Sequence, residues 1–213
     1  MKPFKNLTAV AAPIDLANVD TDKLIPARFL RKLRTETAGY DPYLFYDLRF
    51  DDQGRIRPEF ILNEPAFRQA GILVTGANFG CGSSREGAVY ALMDYGIRSV
   101  IAPSFGDIHY GNELQNGMLP VVLPEETCSS LRQQLREKPG AEITVDLETQ
   151  TVTAPDGRRH RFEIDASTKD KLLKGLDDVA LVLQHAKEIE AFEQRHYAEM
   201  PWLAQAPPYP ACG

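Results

Sequence analysis

Cysteine is scarce in this chain, with three residues, Cys81, Cys128 and Cys212, in 213. An odd number of widely spaced thiols excludes a disulfide framework. It also argues against a metal or iron–sulfur site held by this chain, which would need clustered Cys or His ligands. The four histidines, His109, His160, His185 and His196, form no recognisable ligand pair. His185-x-x-Glu188 reads as a solvated helix face. Long apolar runs are missing, and none approaches the roughly 20 residues of a membrane span. The N-terminal MKPFKNLTAVAAPID has no adequate apolar stretch before its acid, so a cytoplasmic protein is expected. Positive charge is short as well. A net charge of −6 makes a nucleic-acid backbone a poor partner.

Familiar nucleotide and nucleophile signatures are absent too. There is no Gly-Lys-Ser/Thr for a triphosphate loop. Gly80-x-Gly82-x-x-Arg85 lacks the third glycine of the dinucleotide fingerprint. The G-x-S-x-G serine elbow does not occur. What remains is a globular composition, 43% hydrophobic and 25% charged, enough for one large domain or two small ones.

Along the chain, apolar runs alternate with helical patterns. Ala9–Pro13 reads as a strand, followed by a polar loop, Asn18–Asp22, and a helix around Ala27–Leu33. Arg34–Pro58 has no steady period and reads as one long loop, a length that is usually functional or mobile. Strands are expected at Ile72–Thr75, Ser99–Ala102 and Leu119–Leu123. Helices are expected at Arg85–Tyr95, Phe105–Asn116 and Glu125–Lys138, with Gly96, Gly117 and Pro139-Gly140 as stops. This order predicts a mostly parallel α/β core. Glu142–Leu147, Thr151–Ala154 and Arg161–Ile164 then read as an antiparallel meander beside it. Lys169–His196 is mostly helical with a break at Gly175. We expect a single domain over residues 1–200 and a proline-rich, poorly ordered tail over 201–213.

The most informative stretch is Asn78–Glu86, NFGCGSSRE, between a strand and a helix. A helix start offers unpaired N–H groups and the positive end of the dipole, so it attracts anions. Arg85 adds a planar fork that fits a carboxylate. Gly80 and Gly82 leave room for a ligand to approach the backbone. The chemistry suggested is an anionic substrate held beside a serine. A purely structural reading stands next to it: Ser83-x-x-Glu86 is a capping box. Asp20-Thr21-Asp22 likewise reads as a plain turn or as a positioning loop. Cys81 reads as a small packed residue.

Several motifs in fixed order, NVDTD (Asn18–Asp22), Ile25-Pro26, FGCGSSRE (Phe79–Glu86), VIAPSF (Val100–Phe105), NGMLP (Asn116–Pro120) and GLD (Gly175–Asp177), resemble the 3-isopropylmalate dehydratase small subunits of the aconitase superfamily. The resemblance runs from about Phe4 to about Glu193. It implies a swivelling β/β/α domain that closes over a [4Fe–4S] cluster held by a separate large subunit, with no cofactor bound by this chain. It implies a hydro-lyase that isomerises 2-isopropylmalate to 3-isopropylmalate in leucine biosynthesis. It places the base on Ser83 and a carboxylate grip on Arg85. Asp20, Thr21, Asp22, Gly82, Ser84 and Arg34 are expected to bind or position substrate.

Two departures bear on the substrate. The family motif usually continues S-S-R-E-H, and here Gly87 takes the histidine's place. The Arg34–Tyr40 loop is longer than the usual stretch. A related dehydratase acting on citraconate, maleate or 2,3-dimethylmalate is the alternative, as is a non-catalytic anion-binding swivel domain.

Overall fold

A computed structural model describes residues 1–35 and 37–203. The expected tail over 201–213 therefore lies largely outside the described residues, as does Cys212. The chain divides into two compact units, Met1–Gly175 and Leu176–Gly213.

The first unit is built on one sheet. Strand β1 (Asn6–Ile14) is followed by two short helices, α1 (Thr21–Leu24) and α2 (Tyr46–Arg49). Then come β2 (Ile72–Thr75), α3 (Glu86–Tyr95), β3 (Ser99–Ala102), α4 (Asp107–Gln115), β4 (Leu119–Val122) and α5 (Glu125–Glu137). Three further strands, β5 (Glu142–Asp146), β6 (Thr151–Thr153) and β7 (Arg159–Arg161), precede α6 (Ala166–Lys174). The strand order is β4-β3-β2-β1-β5-β6-β7. From β1 through β4 the pairing is parallel, and from β1 through β7 it is antiparallel.

The antiparallel meander expected beside the parallel core is present and is joined to it in one sheet through β1. β1 is the seam. Its first half, Asn6–Val10, pairs with β5, and its second half, Ala11–Ile14, pairs with β2. Pro13 sits in the second half, beyond the last β5 partner, where a missing N–H breaks no ladder. Pro120 is tolerated for a related reason, because β4 is an edge strand.

Alternate residues of the parallel strands feed two cores, as a period of two requires. Leu73 and Val100 pack with Ala88, Val89 and Leu92 of α3. Ile72, Val74 and Ile101 pack with Cys128, Leu131 and Leu135 of α5. The sheet is therefore covered on both faces, and the loops after β1, β2 and β3 leave its carboxyl ends. In open α/β sheets that end carries the ligand site.

Several expected elements change. The helix around 27–33 is only a 3-10 turn, Ala27–Phe29. Pro26 precedes it and the apolar residues there lack a sustained helical stripe. The long loop after residue 34 contains a 3-10 turn, Asp41–Tyr43, and α2. β7 starts two residues earlier than expected, because Gly157 at φ +86° already reverses the chain. The second unit contains α7 (Asp178–Leu183) and α8 (Ala186–Glu199), neither with a buried residue. No helix among the described residues is long and apolar enough to cross a membrane.

Candidate active site

The glycine-rich turn and the NVDTD segment are about sixty residues apart in sequence and lie side by side in the fold. Asn78 Nδ2 donates to Asn18 Oδ1 at 2.8 Å. The Gly80 amide donates to the Val19 carbonyl at 2.7 Å, and the Thr21 amide to the Cys81 carbonyl at 3.0 Å. Asp20 and Cys81 form a parallel bridge. The Thr21 hydroxyl donates to the Ser83 carbonyl at 3.0 Å. Asp22 completes the line with an ion pair to Arg85. Two backbones that would otherwise be loose loops are thereby held in register up to the serine.

The third loop, after β3, supports the turn from the other side. The Asn78 amide donates to Ser104 Oγ at 2.9 Å. Phe79 donates to the Ser104 carbonyl, and Gly106 donates to that of Phe79. The turn itself needs the left-handed region, with φ of +61° at Asn78, +70° at Gly80 and +90° at Gly82. Glycine reaches that region without Cβ strain, and asparagine tolerates it.

The expected capping box does not form. The N-cap of α3 is Arg85, with no side-chain cap bond. Glu86 turns away instead, accepting from Asn116 Nδ2 at 2.9 Å and meeting the Tyr90 hydroxyl. Ser83 is consequently not spent on capping. Gly82, Ser83 and Ser84 are exposed, and the Ser83 hydroxyl has no partner among the described residues. The first amides of α3 face the same region, a concentration of donors suited to an anion.

Asp20 has a local role as well. It N-caps α1, accepting from the Lys23 amide at 2.7 Å, and pairs with the Lys23 ammonium at 3.0 Å. Burial alone would raise its pKa, but these Lys23 contacts hold the carboxyl below its ordinary value. It stays ionised beside Gly82, whose added Cβ would lie 3.5 Å from the Asp20 Cβ. The guanidinium of Arg85 is mostly covered, at 18% exposure, and Asp22 is mostly open. Asp22 thus holds the fork aimed from the solvent side.

Arg34 is placed elsewhere. Its guanidinium grips Asp94 in bidentate fashion at 2.8 and 2.7 Å and lies over the Tyr90 ring at 4.4 Å. At about 1.5 Å rise per residue, Asp94 is roughly 13 Å along α3 from Arg85. There Arg34 lines a polar cleft of about 650 Å³ with Thr35, Thr37, Gly39, Asp41 and Asp94. An apolar hollow of about 590 Å³, lined by Ile14, Phe60, Phe67 and Arg136, also lies away from the serine. The turn itself is exposed over Gly82–Ser84.

Gly87 has a local explanation. A Cβ there would sit 2.6 Å from Leu30 Cδ2. Leu30 occupies the space that a side chain at position 87 would take. Two buried polar residues close to the turn, His109 and Glu113, were missed in the sequence. Their signal was present as His-x-x-x-Glu, a spacing that puts both on one helix face.

Residues 1–126 match the family described as the aconitase C-terminal domain. Residues 178–206 match the C-terminal domain of the 3-isopropylmalate dehydratase small subunit. The chain is 53% identical to the 3-isopropylmalate dehydratase small subunit of Phenylobacterium zucineum (strain HLK1), over 97% of this chain and all of that one. The chain belongs to the 3-isopropylmalate dehydratase small-subunit family. It is 49% identical to the small subunit of the same name from Dinoroseobacter shibae, over 95% of this chain and all of that one. The fold is that of a crystal structure of 3-isopropylmalate dehydratase from Methanocaldococcus jannaschii, with TM-score 0.62 and 24% identity. That match covers 88% of this chain and 99% of the other. In this chain the parallel half of the sheet carries the turn on which Ser83 stands.

Proposed function

We propose that this chain is the small subunit of a hydro-lyase that interconverts 2-isopropylmalate and 3-isopropylmalate through an alkene diacid, in leucine biosynthesis. The observation that carries the reading is the pairing of Asn18–Asp22 with Asn78–Arg85, which puts an uncommitted serine and an aimed arginine at one helix start. Full-length identity to relatives of that name supports it.

Dehydration removes a proton from one carbon and hydroxide from its neighbour. Rehydration returns them with the positions exchanged. Ser83 is assigned as the base. A serine hydroxyl is a poor base in water, and serves only where aimed N–H donors stabilise its alkoxide in a site that excludes solvent. The Glu86 and Gly87 amides at the start of α3 are the candidate donors, that of Ala88 being bonded to the Arg85 carbonyl, and a partner that covers the exposed turn excludes the water. Arg85 exchanges Asp22 for a substrate carboxylate and stabilises the charge that develops on it during proton removal. Asp20, Thr21, Gly82 and Ser84 position the turn, and Arg34 acts from its own cleft through α3.

The cluster chemistry belongs to a partner. Among the described residues no three His, Cys, Asp or Glu side chains come together as metal ligands. Cys128 is buried, and burial pushes its thiol up to about 12. This donor set does not fit a [4Fe–4S] cluster, which we assign to a large subunit. A swivel motion of the unit Met1–Gly175, which carries the serine, against that subunit brings it to the substrate.

The decisive experiment is co-expression with the large iron–sulfur subunit and an assay of alkene formation. The panel includes 2-isopropylmalate, 3-isopropylmalate, citramalate, malate and 2,3-dimethylmalate. Activity highest on the isopropylmalates is expected. No turnover of any of them by a complex with an intact cluster would refute the reading.

A further inference from the structure

Directly beneath the glycine-rich turn lie two titratable side chains that the proposed reaction does not use. His109 is 2% exposed and Glu113 is fully buried. One helical turn apart on α4, they meet Nε2 to Oε1 at 3.0 Å. Burial pushes the Glu113 carboxyl up, while the neighbouring His109 works in the opposite direction. Neither ring nitrogen and neither carboxylate oxygen makes a well-aligned hydrogen bond among the described residues. A polar group at zero exposure is costly without a partner, so the two are paired by this one close contact.

The imidazole is pressed against the turn. A Cβ at Gly80 would sit 2.1 Å from His109 Cγ and Cδ2. Phe79 meets the same ring edge-on, with centroids 5.5 Å apart. Gly106, the N-cap of α4, is equally close, since a Cβ there would lie 2.7 Å from the Gly80 oxygen and 3.0 Å from Cys81 Cα. Farther along the same helix, Asn116 Nδ2 donates to Glu86 Oε1. Positions 106, 109, 113 and 116 are spaced three, four and three apart, which is one face of a helix. That face touches the chain just before Gly82–Ser84 and again just after Arg85.

We propose that His109 and Glu113 are positioning residues. Their buried 3.0 Å contact holds the imidazole as the floor under Gly80, and that floor sets where the Ser83 hydroxyl stands. The inference rests on the dehydratase reading for its effect on turnover, and on geometry alone for its effect on the turn.

Glu113→Gln keeps a polar side chain against Nε2, whereas Glu113→Leu removes it at similar volume. His109→Phe keeps a ring under Gly80 but loses its anchor. In the complex with the large subunit, Glu113→Leu and His109→Phe are expected to lower kcat about tenfold with KM within about twofold, because a misplacement near 1 Å costs up to about 100-fold. Glu113→Gln is expected to keep most of kcat. In the isolated chain, amide hydrogen exchange supplies a second readout. The Gly80 and Gly106 amides, which bond Val19 and Phe79, should exchange about tenfold faster in Glu113→Leu and at the native rate in Glu113→Gln, while Val152 in β6 is unchanged. Native exchange and native kcat in both anchor-less variants overturn the proposal. So does an equal loss in Glu113→Gln and Glu113→Leu, which would mean that the polar contact is not what matters. If the wild-type complex is inactive on every malate, the dehydratase reading fails, and the exchange comparison still decides whether the pair holds the turn.

Discussion

The two halves of the sheet meet in one strand and behave differently. On the parallel side, every residue of β2 and β3 is buried. On the antiparallel side, β5 and β6 alternate buried and more open positions, and β7 buries none. β1 changes character along its own length, from mixed exposure over Asn6–Val10 to full burial over Ala11–Ile14. Helices cover both faces only where the pairing is parallel, as crossover connections require. The carboxyl ends of β1, β2 and β3 thus acquire a rigid foundation, and the candidate site stands on it. The antiparallel strands extend the sheet and close one core, and carry none of the proposed site residues.

Substitutions on the parallel side should therefore separate function from stability. Ser83→Ala in the assembled enzyme is the largest expected effect. A positioned base contributes about 10²–10⁴-fold, so kcat should fall by that factor. Because Ser83 is exposed and makes no side-chain bond, the unfolding midpoint should not move. A complex with unchanged turnover would assign the base elsewhere. Leu73→Ala is the converse, since Leu73 is fully buried against α3 in the sheet centre. It should cost about 2–5 kcal/mol in a denaturant titration, as buried Leu to Ala changes do. A cost below 1 kcal/mol would contradict the picture of a packed foundation.

The same contrast explains what was legible in the sequence. β2, β3 and β4, with α3, α4 and α5, were readable because short apolar runs and helical stripes alternate between glycine stops. The Asn18–Asp22 and Asn78–Arg85 segments were readable as motifs. Their side-by-side pairing was not, because sequence spacing does not carry long-range register. Glu86 misled for a related reason. Ser-x-x-Glu satisfies a local rule, but Asn116, thirty residues on, offered the carboxylate a partner, and tertiary contact outweighed the cap. Arg34 was expected to bind or position substrate, and its guanidinium grips Asp94 at the far end of α3, a contact that sequence spacing does not announce.

That Arg34–Asp94 contact tests how firmly the loop before α2 is tied to the foundation. Asp94 also accepts the Tyr40 amide at 2.7 Å. Burial would raise its pKa, but the Arg34 and Tyr40 hydrogen bonds hold it below the ordinary value. A depressed carboxyl contributes stability above its unfolded pKa and loses it as pH falls through the folded one. Asp94→Asn should therefore cost about 1–2 kcal/mol at pH 7, at the low end for a charged hydrogen bond because Arg34 is 39% exposed. The gap to wild type should begin to narrow as pH falls past the ordinary carboxylate value near about 4 and close only below the lowered pKa of folded Asp94. A gap that does not narrow at all as pH is lowered through that range in matched denaturant titrations would mean that the charge is not what ties the loop.

The smallest effect is expected at the opposite edge. Arg161 on β7 is exposed, and its strand pairs on one side only. Arg161→Ala removes neither buried area nor a buried hydrogen bond, so stability should change by no more than about 0.5 kcal/mol. Turnover of the complex should match wild type, because the substitution lies across the sheet from the carboxyl ends that carry the turn. A marked loss of turnover with unchanged stability would show that the antiparallel edge takes part in function. The division drawn at β1, between a half that supports chemistry and a half that only completes the sheet, would then have to be redrawn to include a surface where β7 meets the large subunit.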